Sequence, residues 1–265
     1  MSLFRKTWLR CDVKNYQWAC LITIELILIS LVISNFSTDL MLVFIGMQIV
    51  ILINRMAYCI RDDLFFGADW VRRTLYFLPY ILFFFMFGND RSIDSSGNLY
   101  ASVLIAIVLG LGFVLFKLKD LMTIFNKQYI LFFAPITLSE ALLQSYSLIG
   151  SAILQELFYR GFIFTTILLK EGPIQAIFFS SILFVSEHVL HQHAEKLFHW
   201  TDYMMQFLLS VFSCALYLYS GSVIVAILIH FMFNAPLAVN QFYRLWIHWK
   251  ARRSFTYDQH HNGNL

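Results

Sequence analysis

Three short polar runs lie inside apolar stretches of the chain and carry residue types able to hydrolyse an amide. They are Gln155-Glu156-Leu157-Phe158-Tyr159-Arg160, Phe184-Val185-Ser186-Glu187-His188 and His230-Phe231-Met232-Phe233-Asn234. Glu156 and Arg160, Phe184 and His188, and His230 and Asn234 are each spaced i, i+4, which sets the two members of a pair on one helix face. A carboxylate and an imidazole can serve as general base and acid for an attacking water. A second imidazole with an amide can donate hydrogen bonds to the oxyanion that develops. Arginine would fix the carboxylate and hold its charge. A divalent metal such as zinc also suits these types, with Glu156, His188 and His230 as ligands. HExxH, GxSxG and GxGD patterns do not occur, so the usual zinc-protease, serine-hydrolase and membrane-aspartate signatures are missing.

Each motif alone has a plainer reading. Glu156 and Arg160 could be a buried ion pair that locks helices together, and a lone imidazole is more often a hydrogen-bonded core residue. His191, His193 and His199 crowd one connection, but Glu195, Lys196 and Asp202 beside them describe a solvated loop. Glu25 and Glu140 read as interhelical polar contacts, and Ser222 as part of a tight turn between helices. His260 and His261 fall in a polar tail expected to be disordered. Joint occurrence carries the argument. Buried charges in a membrane are costly, so they pair or serve a function.

The elements that must position these residues are membrane helices. The chain of 265 residues is 59% hydrophobic and 13% charged, with 28 Phe; its charged share is about half that of a soluble domain. Mean hydropathy is +0.68. A net charge of +3 gives no sign of nucleic-acid binding and fits cationic loops on the cytoplasmic side. Spans of roughly 20 apolar residues are expected at 17–34, 38–54, 74–88, 99–116, 151–169, 174–190, 203–219 and 223–240, the third beginning near Trp70. The segment 128–150 could be a ninth span, a partial helix, or the lead-in to the first motif helix. Lys/Arg clusters around Arg5–Lys14, Arg55–Arg73, Lys117–Lys127 and Arg244–Arg253 fall on one side only with eight spans, which favours eight with both termini cytoplasmic. Pro236 predicts a break in the last helix beside Asn234. Gly161 predicts close approach by another helix. Cys11, Cys20, Cys59 and Cys214 show no disulfide spacing. The first apolar run lacks a small-residue cleavage site and reads as a retained helix. One membrane domain is expected over 1–265, with a polar tail at 256–265.

The three motifs, in order, resemble those of the CPBP intramembrane proteases, also called Abi or type II CAAX prenyl proteases: EExxxR, FxxxH, then HxxxN. The resemblance covers roughly 140–240 and includes Arg160-Gly161-Phe162-Ile163-Phe164 and the turn Ser220-Gly221-Ser222. It implies an all-α, CAAX-protease-like bundle with a polar intramembrane cavity. It further implies a membrane-associated or prenylated peptide as substrate. His188 would be the water-activating partner of a base at position 155, His230 and Asn234 the oxyanion site, and Glu156 and Arg160 the organisers of the helices. Some members of the family confer bacteriocin immunity, and the short loops lean toward a bacterial cell membrane. One departure matters: the family's first glutamate is Gln155 here, and an amide is no general base near neutral pH. Three explanations stay open. Gln155 could be an isosteric replacement that traps an inactive form, the mark of a catalytically silent membrane partner such as an immunity protein or sensor-kinase regulator, or a sign that Glu156 takes the base role after a helix rotation.

Overall fold

A computed structural model describes residues 15–57, 60, 64–88, 93, 97–190 and 199–262. Among the described residues every regular element is helical. They are α1 (Asn15–Ser34), α2 (Thr38–Ala57), α3 (Ala68–Phe83, continued by π-helical turns Phe84–Gly88), α4 (Leu99–Phe116), the short α5 (Leu118–Ile124) and α6 (Lys127–Phe132), α7 (Leu138–Glu156), α8 (Thr165–Glu171), α9 (Pro173–Leu190), α10 (Trp200–Ser220) and α11 (Val223–Asn262). A π-helical stretch, Leu157–Phe164, joins α7 to α8 without interruption.

Helix boundaries follow from local chemistry. Asn98 caps α4 by accepting from the Tyr100 and Ala101 amides at 2.9 and 3.3 Å. Thr137 and Glu140 form a reciprocal capping box that starts α7, so Glu140 is spent on a helix end. The ambiguous segment 128–150 is thereby resolved: α6 ends at Phe132, and the remainder is the lead-in to the first motif helix. Gly172 (φ 91) and Gly221 (φ 67) end α8 and α10 in conformations that a side chain would strain. The turn 220–222 is the tight connection expected, with the Ser222 amide donating to Ser220 Oγ at 3.2 Å.

The protein is an all-α polytopic membrane protein. Among the described residues six segments are long and apolar enough to cross a membrane: Tyr16–Ser34, Leu99–Phe116, Leu138–Glu171, Pro173–Leu190, Trp200–Ser220 and Val223–Arg253. Two of the eight expected spans fall short of that standard. The apolar part of α2, Thr38–Asn54, is shorter, and α3 opens on Asp69, Arg72 and Arg73. Contacts at the helix ends fix how several of these helices run relative to one another. Asn35 Nδ2 donates to the Lys170 carbonyl at 3.3 Å, and Lys170 pairs with Asp39 at 3.5 Å, gathering the α1–α2 turn and the end of α8. At the opposite end Gln17 Nε2 reaches the Val189 carbonyl, and Lys117 pairs with Asp202.

The 34-residue run Leu138–Glu171 is the centre of the bundle and the most buried of the candidate spans. Helix α11 packs along α7 and α4, while α9 packs on α10 and α1. The main core joins Leu28 (α1), Met47 (α2), Phe77 and Tyr80 (α3), Phe158 and Phe162 of the π-stretch, and Phe184 (α9). Ile22, Leu26, Leu104 and Val108 point outward, as lipid-facing side chains do. A Cβ at Gly161 would lie 2.6 Å from Cε2 of Phe84, so the expected close approach is made by an aromatic ring from the end of α3. Gly161→Ala is expected to cost about 1–3 kcal/mol through overpacking. Gly112→Ala, where no atom lies within 4 Å of the new methyl, should be neutral or stabilising. Thermal unfolding of the two variants in detergent checks the pair; equal midpoints would contradict this packing.

Two expectations need correction. Pro236 does not break the last helix: α11 runs through it from Val223 to Asn262. Proline removes only one backbone donor, and neighbouring helices allow a membrane helix to continue past the gap. The polar tail is correspondingly helical as far as Asn262. Cys11, Cys59, His191 and His193 lie outside the described residues, whereas Cys214 is buried and Cys20 partly so, both as free thiols.

Candidate active site

Helices α7, α9 and α11 bring the three motifs together, joined by two helices that the motifs do not involve. Glu156 is the last α-helical residue before the π-stretch, and its carboxylate is fully buried. Arg160 Nε lies 3.0 Å from Glu156 Oε2, and His230 Nδ1 lies 2.8 Å from Glu156 Oε1. Arg160, equally buried, continues to α10 by donating from Nη2 to the Ser210 hydroxyl at 2.8 Å and carbonyl at 3.2 Å. Its guanidinium also sits over the Phe184 ring, 4.8 Å from the centroid. A chain of contacts thus runs from His230 through Glu156 and Arg160 to α10. π-Helical turns concentrate at functional sites, and this one begins where the Glu156–Arg160 pair must be aimed.

Phe184 explains why an aromatic residue precedes His188 by one turn. Its ring packs on His188 (4.7 Å between centroids), on His230 (5.8 Å, edge-on) and on Tyr159 (5.3 Å, edge-on). It spaces the two imidazoles. His188 Nδ1 lies 2.9 Å from the Phe184 carbonyl oxygen. A carbonyl can only accept, so Nδ1 carries the proton and the neutral ring keeps its lone pair on Nε2. The same logic sets His230: its Nδ1–H donates to Glu156, leaving Nε2 for other work. No hydrogen bond to either Nε2 occurs among the described residues.

Gln155 and Asn234 point elsewhere. Asn234 Nδ2 donates to the Leu148 carbonyl at 2.9 Å and toward Ser151 Oγ at 3.4 Å, tying α11 to α7. Gln155 is buried and turns away from Glu156. Its Nε2 donates to Tyr76 Oη at 3.1 Å and to Glu187 Oε1 at 3.2 Å. Glu187 is the residue that the motif pattern passes over, although it stands directly before His188. Its buried carboxylate accepts on Oε1 from the hydroxyls of Tyr76 and Tyr80 and, at 3.5 Å, from Asn54 Nδ2. Tyr159 donates to Oε2 at 2.7 Å. The sequence did hold a signal for this cluster: an acidic residue in an apolar helix, and two tyrosines spaced i, i+4 on α3.

Of the three ligands proposed for zinc, Glu156 is the one that does not fit. Both Glu156 oxygens are engaged by cationic or N–H partners, whereas the hydrogen bonds of His188 and His230 through Nδ1 leave Nε2 open. Among the described residues no group of three or more His, Cys, Asp or Glu side chains is placed to hold a metal ion. Glu25 binds Gln48 at 2.7 Å, apart from the motifs. His199 starts α10, its backbone amide donating to Asp202 at 2.9 Å.

Residues 137–236 match the family model described as type II CAAX prenyl endopeptidase Rce1-like. The match encloses all three motifs, and the family it describes is one of membrane proteases. No curated protein and no solved structure matches the chain.

Proposed function

We propose that the protein is an intramembrane endopeptidase that hydrolyses a peptide bond in a membrane-associated or prenylated peptide by activated water. One observation supports this most: two imidazoles, each with Nδ1 fixed by an acceptor, flank Phe184 within the family-matched stretch. His188 Nε2 accepts a hydrogen bond from the attacking water and orients it. His230, held by Glu156, presents Nε2 toward the carbonyl oxygen of the scissile bond, with Glu156 and Arg160 fixing the ring. Glu156 is ill placed to take the water's proton, because both oxygens already serve Arg160 and His230. The site is set in the bilayer, and the lipid-facing helices admit substrate from the membrane.

Gln155 favours a second reading, a catalytically silent membrane partner such as a bacteriocin-immunity protein or sensor-kinase regulator. The two readings separate on purified protein in detergent, given a panel of internally quenched peptides, some ending in farnesylcysteine. The endopeptidase reading expects cleavage that His230→Ala removes. Absence of cleavage across the panel, or equal rates in His230→Ala, points to the silent partner.

A further inference from the structure

We propose that Glu187 supplies the carboxylate that position 155 lacks and is the general base of the site. This rests on the endopeptidase reading. Position 155 faces the Glu187 carboxylate: the Gln155 amide nitrogen is 3.2 Å from Glu187 Oε1. An acid at 155 and the acid at 187 would therefore occupy one pocket, so the pocket holds one carboxylate and one amide with their positions exchanged. Two carboxylates at that distance could not both ionise without a large repulsion. Gln155 is thus the residue that Glu187 requires.

The other intramembrane carboxylates read from the sequence are committed. Glu156 holds Arg160 and His230, Glu25 holds Gln48, and Glu140 caps α7. Glu187 keeps capacity to accept a proton. Oε1 is crowded by Tyr76, Tyr80, Gln155 and Asn54, but among the described residues Oε2 accepts only from Tyr159, which leaves a lone pair. Beside the carboxylate, the side-chain carbonyl oxygens of Gln155 and Asn54 are buried and accept no hydrogen bond from the described residues. Such acceptors are ones that a water molecule satisfies. Tyr76, Tyr80 and Tyr159 are positioning residues, holding the carboxylate from α3 and the π-stretch.

The step balances without a cofactor. Water gives a proton to Glu187 Oε2 as its oxygen bonds to the scissile carbonyl carbon, and the C=O electron pair moves to the oxygen. On collapse the C–N bond breaks, and the leaving nitrogen takes the proton from Glu187.

The test compares the chain as it stands with His188→Ala, Glu187→Gln, Gln155→Glu and the exchange Gln155→Glu/Glu187→Gln on the same quenched-peptide panel. Thermal unfolding is followed in parallel. Glu187→Gln is expected to lower kcat/KM at least about 100-fold. The exchange should recover at least about 10-fold of that loss by returning one carboxylate to the pocket. Gln155→Glu alone should melt at a lower temperature, with no gain in rate. Cleavage by Glu187→Gln within about 3-fold of the parent, while His188→Ala is inactive, overturns the proposal and leaves the endopeptidase reading intact. A loss in Glu187→Gln that the exchange fails to recover assigns Glu187 to packing and also overturns it. A parent chain that cleaves nothing, or that His188→Ala matches, overturns both.

Discussion

Glu156→Ala is expected to destabilise the fold by about 3–5 kcal/mol, the cost of leaving a buried charge without its partner. The expectation follows from where the carboxylate sits. It faces Arg160 at 3.0 Å and His230 at 2.8 Å, and both Glu156 and Arg160 are wholly buried. Alanine would leave the guanidinium with Ser210 and the Phe184 ring, neither of them an anion. His230 Nδ1–H would lose its acceptor in the same change. Ser210→Ala removes one hydroxyl from the other side of Arg160 and keeps the ion pair, so it should cost only about 1 kcal/mol. Thermal unfolding in detergent should rank the two in that order. A Glu156→Ala protein as stable as its parent would mean that the chain of contacts from His230 to α10 is not what fixes these helices.

His188→Ala and His230→Ala are each expected to lower kcat/KM by about 100- to 1000-fold while leaving the fold in place. Each imidazole is anchored through Nδ1 alone, so its loss removes one hydrogen bond within the protein and the Nε2 that faces the chemistry. The two losses should not add, because the water held by His188 and the carbonyl polarised by His230 belong to one step. Rates measured on the quenched-peptide panel for both single variants and the double variant decide this. Retention of either rate within a few-fold would remove that imidazole from the mechanism.

Much of the site was legible from spacing. The i, i+4 pairs Glu156/Arg160 and His230/Asn234, and the pairing of Phe184 with His188, are properties of single helices. Convergence of their helices followed from the cost of leaving such groups in lipid. Glu187 escaped because its partners are distant in sequence: Asn54 and Tyr76 come from α2 and α3, 133 and 111 positions away. An acid in an apolar helix and tyrosines spaced i, i+4 are visible locally, but nothing local says that they meet. Asn234 shows the opposite failure, since its spacing to His230 is right but its amide hydrogens go to α7.

The fold divides in the same way. Helix α4, apolar throughout and capped by Asn98, was readable almost to the residue, and a start near Trp70 anticipated α3 at Ala68. The π-stretch after Glu156 was not readable, because nothing in Leu157–Phe164 distinguishes i+5 from i+4 pairing until Phe84 packs against Gly161. Pro236 misled for a related reason: its local cost is real, but the packing of α11 against α7 and α4 outweighs it.

Peptide hydrolysis in water enriched in oxygen-18 tests the central claim most directly. The purified chain would be given the quenched-peptide panel, and the products read by mass spectrometry. Direct attack by activated water predicts cleavage at an internal peptide bond, with a single heavy oxygen in the new carboxyl terminus and no product from His188→Ala. No cleavage, or the same products from His188→Ala, would contradict the account and favour the catalytically silent reading.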